Sequence, residues 1–389
     1  MARPDATEQV VRTLTTTGPA SRAELSRATG LAESTVSVAV ADLVAVGLVA
    51  ESQAPASPRR AGRPPVQVRM HRAAGLVLGV DLGKSHARVA LADLGHTVLA
   101  ERTVDVVVDQ PATDQIAAIV ALTDELLAGA AASRADLAGA AMGLPGPVHQ
   151  RTARLGDSTI LPGWVGVRAA EAMHDALGVA VTIDNDANLG ALGEWTWGAA
   201  RGADTAIYVK VSTGVGAGLI ISGQPFVGAG GTAGEIGHTV LDPDGPPCRC
   251  GNRGCLEVLA GSRAVLRHAA ASGDGEAGLR EVIDDAIHGD PAAREAIEAS
   301  GRAVGAALAT LCNLINPERI VVGGALSAAG ELLLEPLRAA LAAGAIRSAA
   351  EDVEILAGEL GERAQVMGAL ALALRGARPV AGRHRSPSR

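Results

Sequence analysis

Near the start of the chain, apolar residues recur at helical spacing. Val10, Val11 and Leu14 predict a first helix, ended at Gly18-Pro19, where glycine and proline break the repeat. Ser21 followed by Glu24 marks the start of a second. In such a capping box the serine oxygen accepts from a helix N–H and the glutamate accepts from the serine's own N–H. Gly30 permits a sharp turn. A third helix is predicted from about Glu33 to Val46, with Val36, Val40, Leu43 and Val44 on one face and Ser34, Thr35, Ser37 and Val38 pointing outward. Residues 47–51 and 66–70 then read as short strands, joined by a Pro/Ser/Arg stretch that carries Arg59, Arg60 and Arg63.

Beyond residue 72 the pattern changes from helical spacing to short apolar runs punctuated by glycine. From Gly75 to Val104 it reads strand, glycine turn, strand, turn, strand, and from Thr205 to Gly228 the same order recurs. Two copies of one supersecondary unit predict a duplicated α/β architecture with a cleft between halves. At 389 residues the chain exceeds what one core normally supports, so two or three domains are expected. No stretch is long and uncharged enough for a membrane span, and the first residues lack a signal-peptide apolar region. The expectation is a soluble, cytoplasmic protein with no membrane partner.

The net charge of −8 is unevenly spread. Residues 1–72 hold nine arginines against six acids, a net of +3, which leaves −11 for the rest. A basic head on an acidic body fits a protein of which only the head meets phosphate. Ser34, Thr35 and Ser37, on the second helix of a helix pair, are candidates for the major groove, and Arg59, Arg60 and Arg63 on an extended wing for the minor groove. The pattern predicts a winged helix-turn-helix over residues 1–72. The plain alternative is a helical hairpin followed by an arginine-containing linker.

Three of the four cysteines crowd into Cys248-x-Cys250-x4-Cys255, with Gly251 and Gly254 allowing a tight loop. With His238 they make a Cys3His set, which as a closed tetrahedral site would hold a structural Zn²⁺; a disulfide or redox pair is the alternative. Cys312 reads as a buried helix residue. The glycine turns carry the candidate phosphate contacts: Asp81, Gly83 and Ser85 in the first, Thr213, Gly214, Gly216 and Gly218 in the second. Glycine there permits close backbone approach and positive φ, although such turns also occur as ordinary hairpins.

With Gly143-Leu144-Pro145-Gly146-Pro147, Asp184-Asn185-Asp186-Ala187-Asn188, Gly234-Glu235-Ile236-Gly237-His238 and Ile320-Val321-Val322-Gly323-Gly324-Ala325, the body resembles the ROK family of repressors and sugar kinases over residues 75–376. The head, including Ser21-Arg22-Ala23-Glu24-Leu25, is similar to the one fused to that family's regulators. The resemblance implies a two-lobed actin-like ATPase or sugar-kinase fold over residues 73–376. It implies that Asn185, Asp186, Glu235, His238 and Glu257 hold sugar hydroxyls, and that His238 serves metal and sugar together. Gly323 and Gly324 would lie on the nucleotide's adenosine side, and Asp186 would be the base in a kinase using ATP and Mg²⁺. The first turn departs from the kinase pattern at Lys84, Ser85 and His86.

The implied function is a repressor that binds operator DNA as a homodimer or higher homo-oligomer and releases it when a sugar closes the cleft. An ATP-dependent sugar kinase with an accessory DNA-binding head is the alternative. The last residues, 377–389, are basic and without acids, and read as a disordered tail.

Overall fold

The computed structural model describes residues 5–53, 66–107, 109–149, 154–155, 160–269 and 275–380. Three helices open the chain: α1 (Ala6–Thr17), α2 (Arg22–Thr29) and α3 (Glu33–Ala45). They pack on one another and bury Val10, Leu14, Leu25, Val36, Ala39, Val40 and Leu43. Val44, expected on the buried face, is 43% exposed. One residue is a 100° step around a helix, which carries Val44 off the stripe set by Leu43, and Ala39 takes its place.

The capping box forms as the sequence predicts. Ser21 Oγ accepts from Glu24 N at 3.3 Å, and Glu24 Oε2 accepts from Ser21 N at 2.7 Å. Gly30 is left-handed at φ +71°, and α2 and α3 meet at 113°, inside the range of helix-turn-helix pairs. Strands β1 (Val49–Gln53) and β2 (Val66–Met70) pair antiparallel, Val49 opposite Met70. β1 starts two residues later than predicted because Gly47 and Leu48 close the end of α3, their N–H groups bonding Val44 O and Leu43 O. Arg22 on α2 reaches Glu51 on β1 at 2.7 Å. Arg59, Arg60 and Arg63 lie outside the described residues.

Two five-stranded sheets follow. In chain order the strands are β3 (Leu76–Leu82), β4 (His86–Asp93), β5 (Val98–Asp105), β6 (Leu137–Leu144), the short pair β7 (Val148–His149) and β8 (Arg154–Leu155), and β9 (Val181–Asn185). Then come β10 (Ala206–Val211), β11 (Val215–Ile221), β12 (Gln224–Phe226), β13 (Arg319–Gly323) and β14 (Glu354–Ala357). The sheets run β5-β4-β3-β6-β9 and β12-β11-β10-β13-β14, one strand order used twice, as the repeated sequence pattern predicts.

The chain divides into two compact units. One comprises Met1–Met142, Thr159–Ile183 and Ala369–Arg389; the other comprises Gly143–Ser158 and Asp184–Gly368. The head therefore belongs to the same unit as the first sheet. The second unit holds α6 (Asp186–Trp197), α7 (Leu256–Ala260), α8 (Ser262–His268), α9 (Gly275–His288), α10 (Pro291–Ile315) and α11 (Glu331–Gly344), while α4 (Ala112–Gly129) and α5 (Ala169–Leu177) belong to the first. Ile207, Val209 and Val211 of β10 join Leu256, Ile297, Val304, Leu308, Leu333 and Leu337 in its core. Each such side chain contributes on the order of 1.5–3 kcal/mol by leaving water. The backbones of α10 and α11 touch at Gly305, where a Cβ would stand 2.2 Å from Leu337 O.

No single described helix is long and apolar enough to cross a membrane. Residues 377–380, read from the sequence as the start of the tail, are tied to the first unit: Arg378 N donates to Ala138 O at 3.2 Å and Val380 N to Ala74 O at 2.8 Å. Residues 381–389 lie outside the described residues.

Candidate functional site

The second unit opens with a strand-to-helix junction that aims a carboxylate. Asn185 is the N-cap of α6, its Oδ1 accepting from Ala187 N at 2.8 Å and Asn188 N at 3.3 Å. Its Nδ2 donates to Gly146 O at 2.9 Å. The amide predicted to hold a sugar is thus engaged in capping the helix and tethering the Gly143–Pro147 loop. Buried Asp184 accepts from Asn185 N and from Asn188 Nδ2. Burial pushes its carboxyl above the ordinary range, against those two bonds, which pull it down. The junction leaves Asp186 on the first turn of α6, where Lys210 Nζ donates to its Oδ2 at 2.7 Å.

Glu235 leads into the 3-10 turn Ile236–His238, and its Oε2 lies 3.8 Å from His238 Nε2. Burial raises the Glu235 carboxyl above its usual range, and the charges of Asp186 and Glu257 raise it further, while Arg249 pulls it down. Glu257, on α7, accepts from Arg249 at 3.0 Å. Asp186, Glu235, His238 and Glu257, predicted as a sugar-binding set, therefore stand as electrostatic neighbours in one unit, with two cations among them. A polyol needs such a mixture of fixed acceptors and donors.

The other face of His238 meets the cysteines. Ligand atoms of His238, Cys248, Cys250 and Cys255 all lie within 4.8 Å of one another. His238 Nδ1 is 3.6 Å from Cys248 Sγ, and Cys250 Sγ is 3.6 Å from Cys255 Sγ. A tetrahedron with metal–N and metal–S bonds near 2.1 and 2.3 Å has edges of roughly 3.6–3.8 Å, so the donor set fits a closed four-ligand metal centre. Burial, and then its neighbours Cys250 and Cys248, push the Cys255 thiol up to about 12, so a thiolate there would need a cation beside it. No disulfide joins these cysteines, and Cys312 is buried in α10. Gly251 and Gly254 adopt φ +94° and +56°, and a Cβ on Gly254 would overlap Asp242 O.

The predicted phosphate turns sit at two hairpins. In the first unit, His86 Nε2 lies 3.1 Å from Asp81 Oδ2, and the imidazole packs over Gly83, where a Cβ would meet it at 2.4 Å. In the second, Thr213 and Gly214 form the turn, and Ser212 O accepts from Ser262 N at 2.9 Å. Gly216 and Gly218 lie inside β11, and Gly214, Gly216 and Gly218 all have negative or extended φ, contrary to the positive φ expected of them. Space is the reason for Gly218, where a Cβ would stand 2.4 Å from Ala187 O on α6. Gly323 closes β13 against Tyr208, and Gly324 has φ +86° beside Val211.

In the head, Ser34 and Thr35 are exposed, Ser37 is half-buried and Val38 is exposed. Sequence reasoning missed Lys210 and Arg249. The signal for Lys210 was a lone cation in the apolar strand Ala206–Val211, which calls for a buried partner. Arg249 lies between two metal-type cysteines, where nothing in the local sequence points it to Glu257.

Paired sheets of one strand order, with a thiol-imidazole cluster beside three carboxylates, define an α/β protein of the sugar-kinase type with a His/Cys cluster whose donors could hold a metal. The chain belongs to the ROK family, whose family model matches residues 77–376. It is 30% identical over 356 residues to the xylose repressor of Bacillus subtilis, covering 90% of each chain. It is 34% identical over 260 residues to the glucokinase of Halalkalibacterium halodurans, covering 63% of this chain and 78% of that one. Among solved structures it is similar to a ROK family transcriptional regulator described as a homologue of the E. coli MLC protein, with a TM-score of 0.74 and 26% identity over 95% of this chain and 96% of that one.

Proposed function

We propose that this protein is a sugar-responsive transcriptional repressor. Residues 1–72 bind operator DNA as a winged helix-turn-helix, and residues 73–376 form the effector domain. The observation that carries the reading is the extent of similarity: the xylose repressor matches this chain over 90% of both, whereas the glucokinase matches 63% of it. The 113° helix pair, exposed Ser34 and Thr35, and the arginines at 59, 60 and 63 supply the chemistry a duplex needs.

The sugar is held by Asp186, Glu235, His238 and Glu257, with Asn185 fixing the first of these. A structural Zn²⁺ on His238, Cys248, Cys250 and Cys255 orients the imidazole, so that Nδ1 serves the metal and Nε2 the ligand. Operator half-sites require two heads, so the working form is a homodimer. The kinase reading keeps Asp186 and the Thr213-Gly214 turn in its favour. Against it stand the Asp81–His86 pair and the imidazole lying over Gly83, where phosphate oxygens would have to approach. Any ATP and Mg²⁺ would be held by the turn residues of the two hairpins with Gly323 and Gly324.

Operator fragments from the chain's own promoter region, titrated with the protein under saturating D-xylose, D-glucose or N-acetyl-D-glucosamine, test this. One sugar should weaken operator binding by about 10–100-fold, the usual span of allosteric coupling. Operator affinity unchanged by all sugars tried would remove the reading.

A further inference from the structure

The candidate sugar site contains a cation set directly against one of its carboxylates. Lys210 is the next-to-last residue of β10, opposite Gly216 of β11 and Gly323 of β13. Neither neighbour has a side chain, and the lysine reaches Asp186, with Nζ 2.7 Å from Oδ2. Both side chains are largely buried, at 25% and 14% exposure, so water screens the pair only in part.

From this geometry we infer that Lys210 is a positioning residue that holds Asp186 as a hydrogen-bond acceptor for sugar and withholds it from acting as a base. The inference rests on the sugar-site reading above. For phosphoryl transfer from a nucleoside triphosphate, a sugar hydroxyl oxygen bonds the terminal phosphorus, and the bond from that phosphorus to its bridging oxygen breaks. The electron pair leaves on the nucleoside diphosphate, and the hydroxyl proton passes to the Asp186 carboxylate. That proton needs a free carboxylate oxygen on the hydroxyl's path. Here the ammonium donates into Oδ2, so a proton arriving on this carboxylate would neutralise it and cost it the ion pair with Lys210. A sugar that only binds has no such demand.

Full-length wild type, K210T, K210R, D186N and the K210T/D186N double variant would be compared in two measurements. Calorimetric titration gives affinity for D-glucose and D-xylose, and ADP release from MgATP gives phosphoryl transfer to the same sugars. K210T should bind sugar several-fold more weakly, because Asp186 loses the ammonium that holds it. It should also release ADP on the order of 10²-fold above wild type, the ordinary contribution of a general base. That rate should vanish in K210T/D186N. K210R keeps the cation and should stay at the wild-type background in both measurements. K210T with wild-type affinity and background ADP release would overturn the inference, as would a wild type already turning over at the K210T rate. Sugar binding absent from every form would instead remove the sugar-site reading and this inference with it, whereas sugar binding with no change in either measurement in K210T leaves the sugar site standing and removes the lysine's role alone.

Discussion

His96 Nε2 donates to the main-chain oxygen of Thr15 at 3.0 Å, joining the turn between β4 and β5 to the last turn of α1. The carbonyl can only accept, so Nε2 carries a proton. The turn is held for this contact: Asp93 Oδ1 accepts from Thr97 N at 2.9 Å, and His96 takes the unusual φ of +68°. Gly18, at the end of α1, has the ring 3.4 Å from where its Cβ would be. The head and the first sheet thus share a fixed joint.

That joint makes stability depend on pH. Burial holds the His96 pKa below its ordinary 6.5, outweighing the Thr15 carbonyl and the Asp93 charge, which raise it. The folded protein therefore binds the proton less readily than the unfolded chain. Its contribution is fully present above pH 6.5 and is lost as pH falls through the lower folded value. Thermal unfolding measured from pH 8 to 5 should show a fall in Tm that is shallower in His96→Gln, which keeps a donor for Thr15 without titrating. Parallel curves for the two proteins would exclude the joint as a proton-sensitive element.

Removing one thiol should empty the metal centre. Cys250→Ser should lose its metal by elemental analysis and respond more weakly to sugar, since His238 loses its anchor. Cys312→Ser, altered in the α10 core, should keep its metal. Equal metal in Cys250→Ser and wild type would refute the Cys3His assignment.

Glu194 is fully buried, and its carboxylate accepts from Ala199 N at 2.8 Å, Leu360 N at 2.9 Å and Glu359 N at 3.2 Å. Glu194→Ala leaves those N–H groups without a partner and should destabilise the protein by about 2–4 kcal/mol. Chemical denaturation would show this as a lower midpoint at constant slope; a midpoint within error of wild type would mean the loops find other acceptors.

On α3, Thr35→Asp places a negative charge on the exposed face expected to meet DNA. Gel-shift titration should show at least a tenfold loss of operator affinity, with the sugar-induced change in Tm unmoved. Retained operator binding would place the DNA contact elsewhere.

The head was largely legible because local rules govern it: the capping box and the left-handed glycine act over a few residues and appear where predicted, while the apolar spacing misplaced only Val44. The repeated strand order was legible because one pattern of apolar runs and glycine turns occurs twice. The Cys3His set could be named from spacing alone, since three cysteines within eight positions have few other uses. What the tertiary structure decided are relationships between residues far apart in the chain. Asp186 and Lys210 meet because the α6 start and the end of β10 pack in one unit, and no local pattern records that contact. The same holds for His96 and Thr15. Gly216 and Gly218 were read as turn glycines, yet lie in a strand with a helix against it. A glycine in sequence announces only a missing side chain, and whether the space is used for a backbone turn or for a neighbouring helix is settled by what packs there.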